Sequence, residues 1–135
     1  MTIYVNRVYY YTVTETYRNL EENKQIQKGG VKVNVNEYMA KSGIPVHLKG
    51  FEATKRAIEL SIEKPDIGCM EIYNIVAKEY GITSYAVERR IRFAVNQGFR
   101  NMDEELRNII FKNEDHVTRI HYIKNVAYAI THNLI

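Results

Sequence analysis

The stretch Val76-Ala-Lys-Glu-Tyr-Gly-Ile-Thr-Ser-Tyr-Ala-Val-Glu-Arg-Arg-Ile-Arg92 decides how this chain of 135 residues folds. Its pattern is a short helix, a glycine-centred turn and a second helix whose outer face carries arginines. Ala77 is small where two helices would cross closely. Gly81 stands where the backbone must become left-handed, a conformation that only glycine adopts cheaply. Ile82 and Val87 supply apolar contacts back to the first helix, and the next apolar residue falls at Ile91, one position later than the usual spacing would place it. A helix-turn-helix of this build inserts its second helix into the DNA major groove. The spacing predicts that recognition helix from Ser84 to about Gln97, ended by Gly98.

Charge collects on the same element. From Thr83 to Arg100 the chain holds Arg89, Arg90, Arg92 and Arg100 against the single acid Glu88, a local excess that equals the +3 of the whole protein. A basic stripe confined to one helix is the electrostatic footprint of a nucleic-acid reader. The plainer alternative is a solvated helix face, and the turn just before the stripe favours DNA.

Outward from this centre the chain divides near Asn36. After it the pattern is helical. Asn36 is placed to cap a short helix through Lys41, ended by Ser42-Gly43 and Pro45. A helix from about Phe51 to Glu63 has Ala53, Ala57, Ile58 and Ile62 inward and stops at Lys64-Pro65. Further helices are predicted at about Ile67 to Tyr80, Met102 to Phe111 and Thr118 to His132, the last with Ile120, Ile123, Ala127 and Ile130 inward. Before Asn36, Ile3, Val5, Val8, Tyr9-Tyr10-Tyr11, Val13 and Tyr17 interleave with threonines, and Val31-Lys-Val-Asn-Val35 alternates after Gly29-Gly30. That mixture suggests a β-hairpin or arm, although Val5, Val8, Tyr9, Val13 and Leu20 also fit a helix. The fold class is therefore mainly α: a domain of about six helices over residues 37–135 with an embedded helix-turn-helix, preceded by an extension over residues 1–36.

Composition narrows the function classes. The hydrophobic fraction of 45% and charged fraction of 26% are those of an ordinary globular protein. No apolar stretch approaches the roughly 20 residues of a membrane span, and the start of the chain lacks the build of a signal peptide. The lone Cys69 excludes an internal disulfide and suits a reducing cytoplasm, where it serves as a small hydrophobe. His116, His121 and His132 form no ligand pattern, so neither a metal nor another cofactor is predicted. No phosphate loop, nucleophile elbow or paired-carboxylate motif is visible, and the chain reads as no enzyme.

Two motifs, Pro45-x-His47-x-Lys49-Gly50 and Val87-Glu-Arg-x-Ile-Arg92, together with the spacing of Thr118 to Ile130, resemble one family. It is the C-terminal DNA-binding effector domain of the master response regulator of sporulation initiation in endospore-forming bacteria. The likeness runs from about Val35 to Ile130. It implies a six-helix domain that binds short promoter boxes, often as tandem or paired copies. Two departures stand out. About 36 residues precede the unit where the regulator carries a phospho-accepting receiver, too few for such a domain, so an aspartyl-phosphate switch is not expected. A guanine-reading arginine of the family falls at Ala86 and a family histidine at Phe93, so the DNA-binding role carries over better than the particular box.

Ser84, Tyr85, Glu88, Arg89 and Arg92 share or adjoin one helix face at spacings of three and four. Arginine donates in parallel to guanine O6 and N7, and glutamate accepts from cytosine N4. Glu88 and Arg89 are thus predicted base readers, with Arg92 on a base or a phosphate, or else Glu88 and Arg92 form a surface ion pair. Thr83 and Ser84 are placed to cap the helix, where free amides attract phosphate. Lys78, Arg90 and Arg100 are candidate phosphate contacts. His47 is placed to brace the Pro45 turn. The reading is a cytoplasmic, sequence-specific transcription regulator whose partners are double-stranded DNA, a second copy paired through the tyrosine-rich arm, and RNA polymerase or a related regulator. Its rival is a protein-interaction module on the same fold that modulates such a regulator.

Overall fold

The computed structural model describes residues 35–112 and 114–135, and the predicted hairpin or arm over residues 1–34 lies outside them. Among the described residues there are six helices and no strand. They are α1 (35–41), α2 (Lys49–Glu63), α3 (Cys69–Tyr80), α4 (Ser84–Asn101), α5 (Glu104–Phe111) and α6 (Arg119–Thr131).

Val35, expected at the end of an alternating strand, is helical and fully buried, and Asn36 lies inside α1 rather than capping it. Val35, Tyr38 and Met39 form one buried stripe, so burial at helical spacing overrides the local alternation. Ser42 ends α1, its hydroxyl donating to the Met39 carbonyl at 2.8 Å and accepting from the Ile44 amide at 3.1 Å.

Helix α2 starts at Lys49, two residues earlier than predicted, and Gly50 sits in its first turn. A Cβ at Gly50 would stand 2.1 Å from the Arg90 carbonyl oxygen, so the absence of a side chain lets the start of α2 lie on the middle of α4. Ala53, Ala57 and Ile58 are buried as predicted, while Ile62 is only half-buried. Helix α2 occupies the centre, packed on both α4 and α6, with α3 against α4 and α5 against α6.

Helix α3 closes on Gly81 at φ 68°, where the amides of Gly81 and Ile82 both donate to the Ala77 carbonyl. Helix α4 does not end at Gly98 but continues to Asn101. Gly98 serves a different need: a Cβ there would come within 2.6 Å of Ile44 Cγ1 and 3.2 Å of the Tyr122 hydroxyl. Met102 terminates α4 and belongs to the core rather than to α5, whose cap is Asp103, accepting from the Glu105 and Leu106 amides. Arg107 donates to the carbonyls of Phe99 and Met102, both at 3.2 Å, and so satisfies the end of α4.

Three devices hold the helices in register. The buried Tyr38 and Tyr122 hydroxyls are hydrogen-bonded, Tyr122 stacks on Phe111 at 5.3 Å, and Phe111 meets the Phe99 ring edge-on at 5.3 Å. Arg56 grips Glu79 through Nε and Nη2 at 3.0–3.2 Å, tying α2 to the last turn of α3. Lys124 of α6 donates to the carbonyls of Pro65 and Ile67 at 3.0 and 2.7 Å, pinning the α2–α3 connection. No helix among the described residues is long and apolar enough to cross a membrane.

Candidate nucleic-acid interface

The site is built on α3, the turn at 81–83 and the outer face of α4. Thr83 caps α4 as predicted, its hydroxyl accepting from the Ala86 amide at 3.0 Å. Ser84 does not share that task. As the first residue of α4 it projects back toward α3, where its hydroxyl donates to the Asn74 carboxamide and links the two helices. Asn74, which the sequence reading passed over, thereby helps to fix the angle between α3 and α4.

Val87, Ile91 and Ala94 are fully buried, so α4 turns its apolar stripe inward and leaves Arg90 on the flank. Tyr85, Arg89, Arg92 and Asn96 are exposed on the opposite side, inside an arc of about 60° at 100° per residue. Tyr85 is 69% exposed, and the Arg89 guanidinium carbon lies 5.7 Å from its ring centroid. This cation–π contact restrains Arg89 while its donors stay in solvent. Phe93 adjoins the arc and is 54% exposed.

Arg90 is half-buried and lines, with Leu48, Lys49, Ala86, Arg89 and Phe93, a groove of about 440 Å³ between the start of α2 and α4. Lys49 was not among the predicted contacts. Its signal was present in the Pro45-x-His47-x-Lys49-Gly50 motif, but only the close approach of Gly50 to Arg90 brings it to this face. His47, expected to brace the Pro45 turn, is exposed and hydrogen-bonded to nothing among the described residues. The turn is closed instead by the Leu48 amide donating to the Pro45 carbonyl at 3.1 Å.

Glu88 occupies the other flank, with only 18% of its side chain exposed. Its Oε2 lies 3.6 Å from Arg92 Nε and 2.8 Å from Arg119 Nε. The ion pair to Arg92 that the spacing allows is therefore the looser of two. The tighter partner comes from the first residue of α6, too distant in sequence for any local pattern to reveal. Behind Arg119 stands Tyr73 of α3, buried, its phenol pushed up to about 12 by that burial and by the neighbouring Cys69 thiol. The Tyr73 hydroxyl, followed by the Glu88 charge, holds the Arg119 guanidinium above its ordinary value.

Lys78 is exposed in the last turn of α3, and Arg100 in the last turn of α4, roughly 16 Å along the axis from Arg89 at 1.5 Å per residue. Among the described residues no cluster of three His, Cys, Asp or Glu could hold a metal. His121 pairs with Glu114 at 3.1 Å, and His132 stacks on Tyr128. What the face offers is a row of guanidinium donors, one braced carboxylate and the free amides at the start of α4. Over residues 35–130 the sequence matches the family described as Sporulation initiation factor Spo0A C terminal.

Proposed function

Because this chain belongs to the Spo0A C-terminal family, a family of DNA-binding effector domains of transcription regulation, we propose that it reads a specific DNA sequence by laying α4 in the major groove. One observation carries this reading: the buried stripe through Val87, Ile91 and Ala94 leaves Arg89 and Arg92 pointing outward with free donors. Arg89, steadied on Tyr85, donates to guanine O6 and N7. Arg92 takes a neighbouring base or phosphate, and Glu88 accepts from a cytosine amino group. Lys78, Arg90, Arg100 and Lys49 contact the phosphate backbone, and the amides beside the Thr83–Ser84 turn receive a further phosphate. With alanine at position 86, recognition rests on fewer direct base contacts.

Two copies on adjacent half-sites would place two α4 helices one helical turn apart, and contact with RNA polymerase or a related regulator would turn binding into control of transcription. Light scattering on the full chain tests the pairing, with an expected mass twice the 15.8 kDa of one chain.

The decisive experiment selects bound duplexes from random DNA and titrates the winner across a salt series. Binding should weaken steeply with salt, because each neutralised phosphate releases counterions. No enriched sequence together with a flat salt response would refute DNA recognition and favour a module that binds a related regulator through protein contacts.

A further inference from the structure

Glu88 is an acid on a face built to meet polyanionic DNA, and an isolated carboxylate there would be repelled by phosphates. It is not isolated. Arg119 and Arg92 flank it, and the three side chains together carry a net positive charge. Both arginines approach the same atom, Oε2, while Oε1 makes no ion pair or hydrogen bond among the described residues. A carboxylate has room for several donors, so Oε1 keeps its capacity to accept.

The two arginines differ in what stands behind them. Arg92 is on the same helix as Glu88, about half exposed, and 3.6 Å away. Arg119 approaches to 2.8 Å from another helix. It is itself the first residue of a helix anchored by the Thr118 cap and by the fully buried Tyr122 and Ile123. A free glutamate on a helix surface samples many rotamers and loses that freedom on binding a base. A partner fixed to the core removes most of this loss beforehand.

Resting on the DNA reading above, we infer that Arg119 is a positioning residue for base recognition: by holding Glu88 Oε2 from α6, it presents Oε1 as a fixed acceptor for a cytosine amino group. Arg119 itself need not touch DNA. Its removal leaves Glu88 mobile and less well neutralised, so discrimination falls at one base pair rather than across the site.

The test measures affinity of the full chain for its selected duplex and for every single-base-pair variant of it. The proteins compared are wild type, Glu88→Gln, Arg119→Ala, Arg119→Lys and the Glu88→Gln/Arg119→Ala double variant. Glu88→Gln and Arg119→Ala are each expected to lose about tenfold of discrimination at the same base pair. The double variant should lose no more than either one, and Arg119→Lys should recover most of it, since an ammonium can still hold Oε2. Circular dichroism checks folding, and Arg119→Gln replaces Arg119→Ala should the latter unfold. Loss of affinity by one common factor for all duplexes, with the base pattern intact in the Arg119 variants, would make Arg119 a structural or phosphate-attracting residue and overturn the inference. Unchanged preferences in Glu88→Gln would overturn it too, while leaving DNA recognition standing. A wild-type chain with no selected sequence would sink both.

Discussion

At the scale of single residues, two kinds of position separate cleanly. Gly81 is set by backbone geometry: at φ 68° it occupies the left-handed region, with nothing within 4 Å of where a Cβ would stand. Gly81→Ala should therefore cost only conformational strain, about 1–2 kcal/mol, seen as a lower urea midpoint at unchanged slope. Arg89 and Lys78 are set by their outward direction. Arg89→Ala should weaken the preferred duplex by about 1–3 kcal/mol and relax one base pair. Lys78→Ala should weaken all duplexes alike and lower the salt slope by about one. Anisotropy titrations at several salt concentrations distinguish the two, and equal effects on every sequence would remove Arg89 from base readout.

At the scale of elements, glycine governs how closely the helices approach. The start of α2 rests on the α4 backbone at Gly50, and the end of α4 rests on Ile44 and Tyr122 at Gly98. Gly50→Ala forces a methyl group to within 2.1 Å of the Arg90 carbonyl oxygen, so α2 and α4 must separate. Overpacking of this kind costs roughly 1–3 kcal/mol or more, and it should also weaken DNA binding, since Lys49 and Arg90 share that contact. Gly98→Ala meets flexible Ile44 atoms first and should cost less. Gly68, the cap of α3, has open space, and Gly68→Ser should gain a few tenths of a kcal/mol by supplying a capping hydroxyl. Thermal melts of the three variants should rank in that order, and a Gly50→Ala protein as stable as wild type would contradict the close approach.

At the scale of the whole molecule, stability at high pH depends on buried phenols. Burial raises Tyr38, Tyr122 and Tyr73 above the ordinary value of 10, the last to about 12. The folded chain thus keeps these protons at a pH where the unfolded chain releases them. Their contribution is fully present below pH 10 and is lost as pH rises through the folded values. The melting temperature should hold steady from pH 7 to 9 and fall steeply above 10, and Tyr73→Phe should make the fall shallower. A flat melting temperature to pH 12 would mean these hydroxyls reach water.

Much of the helical frame was legible because its signals are local. Apolar spacing of three and four placed Val87, Ile91 and Ala94 inward, Thr83 supplied a cap, and Gly81 marked the turn between two helices. Gly98 misled because a glycine that permits close packing looks in sequence like one that ends a helix, and Val35 misled because short alternation fits two periods. Sequence alone determined that Tyr85, Arg89 and Arg92 lie on the outer face of α4, since the helical repeat fixes that once its inner stripe is known. The surroundings of the flanking residues were decided by tertiary structure: Lys49 beside Arg90, Ser84 turned to Asn74, and Arg119 braced against Glu88. These contacts join elements far apart along the chain, and only the packing of α2 and α6 around α4 brings their charges within reach of one another.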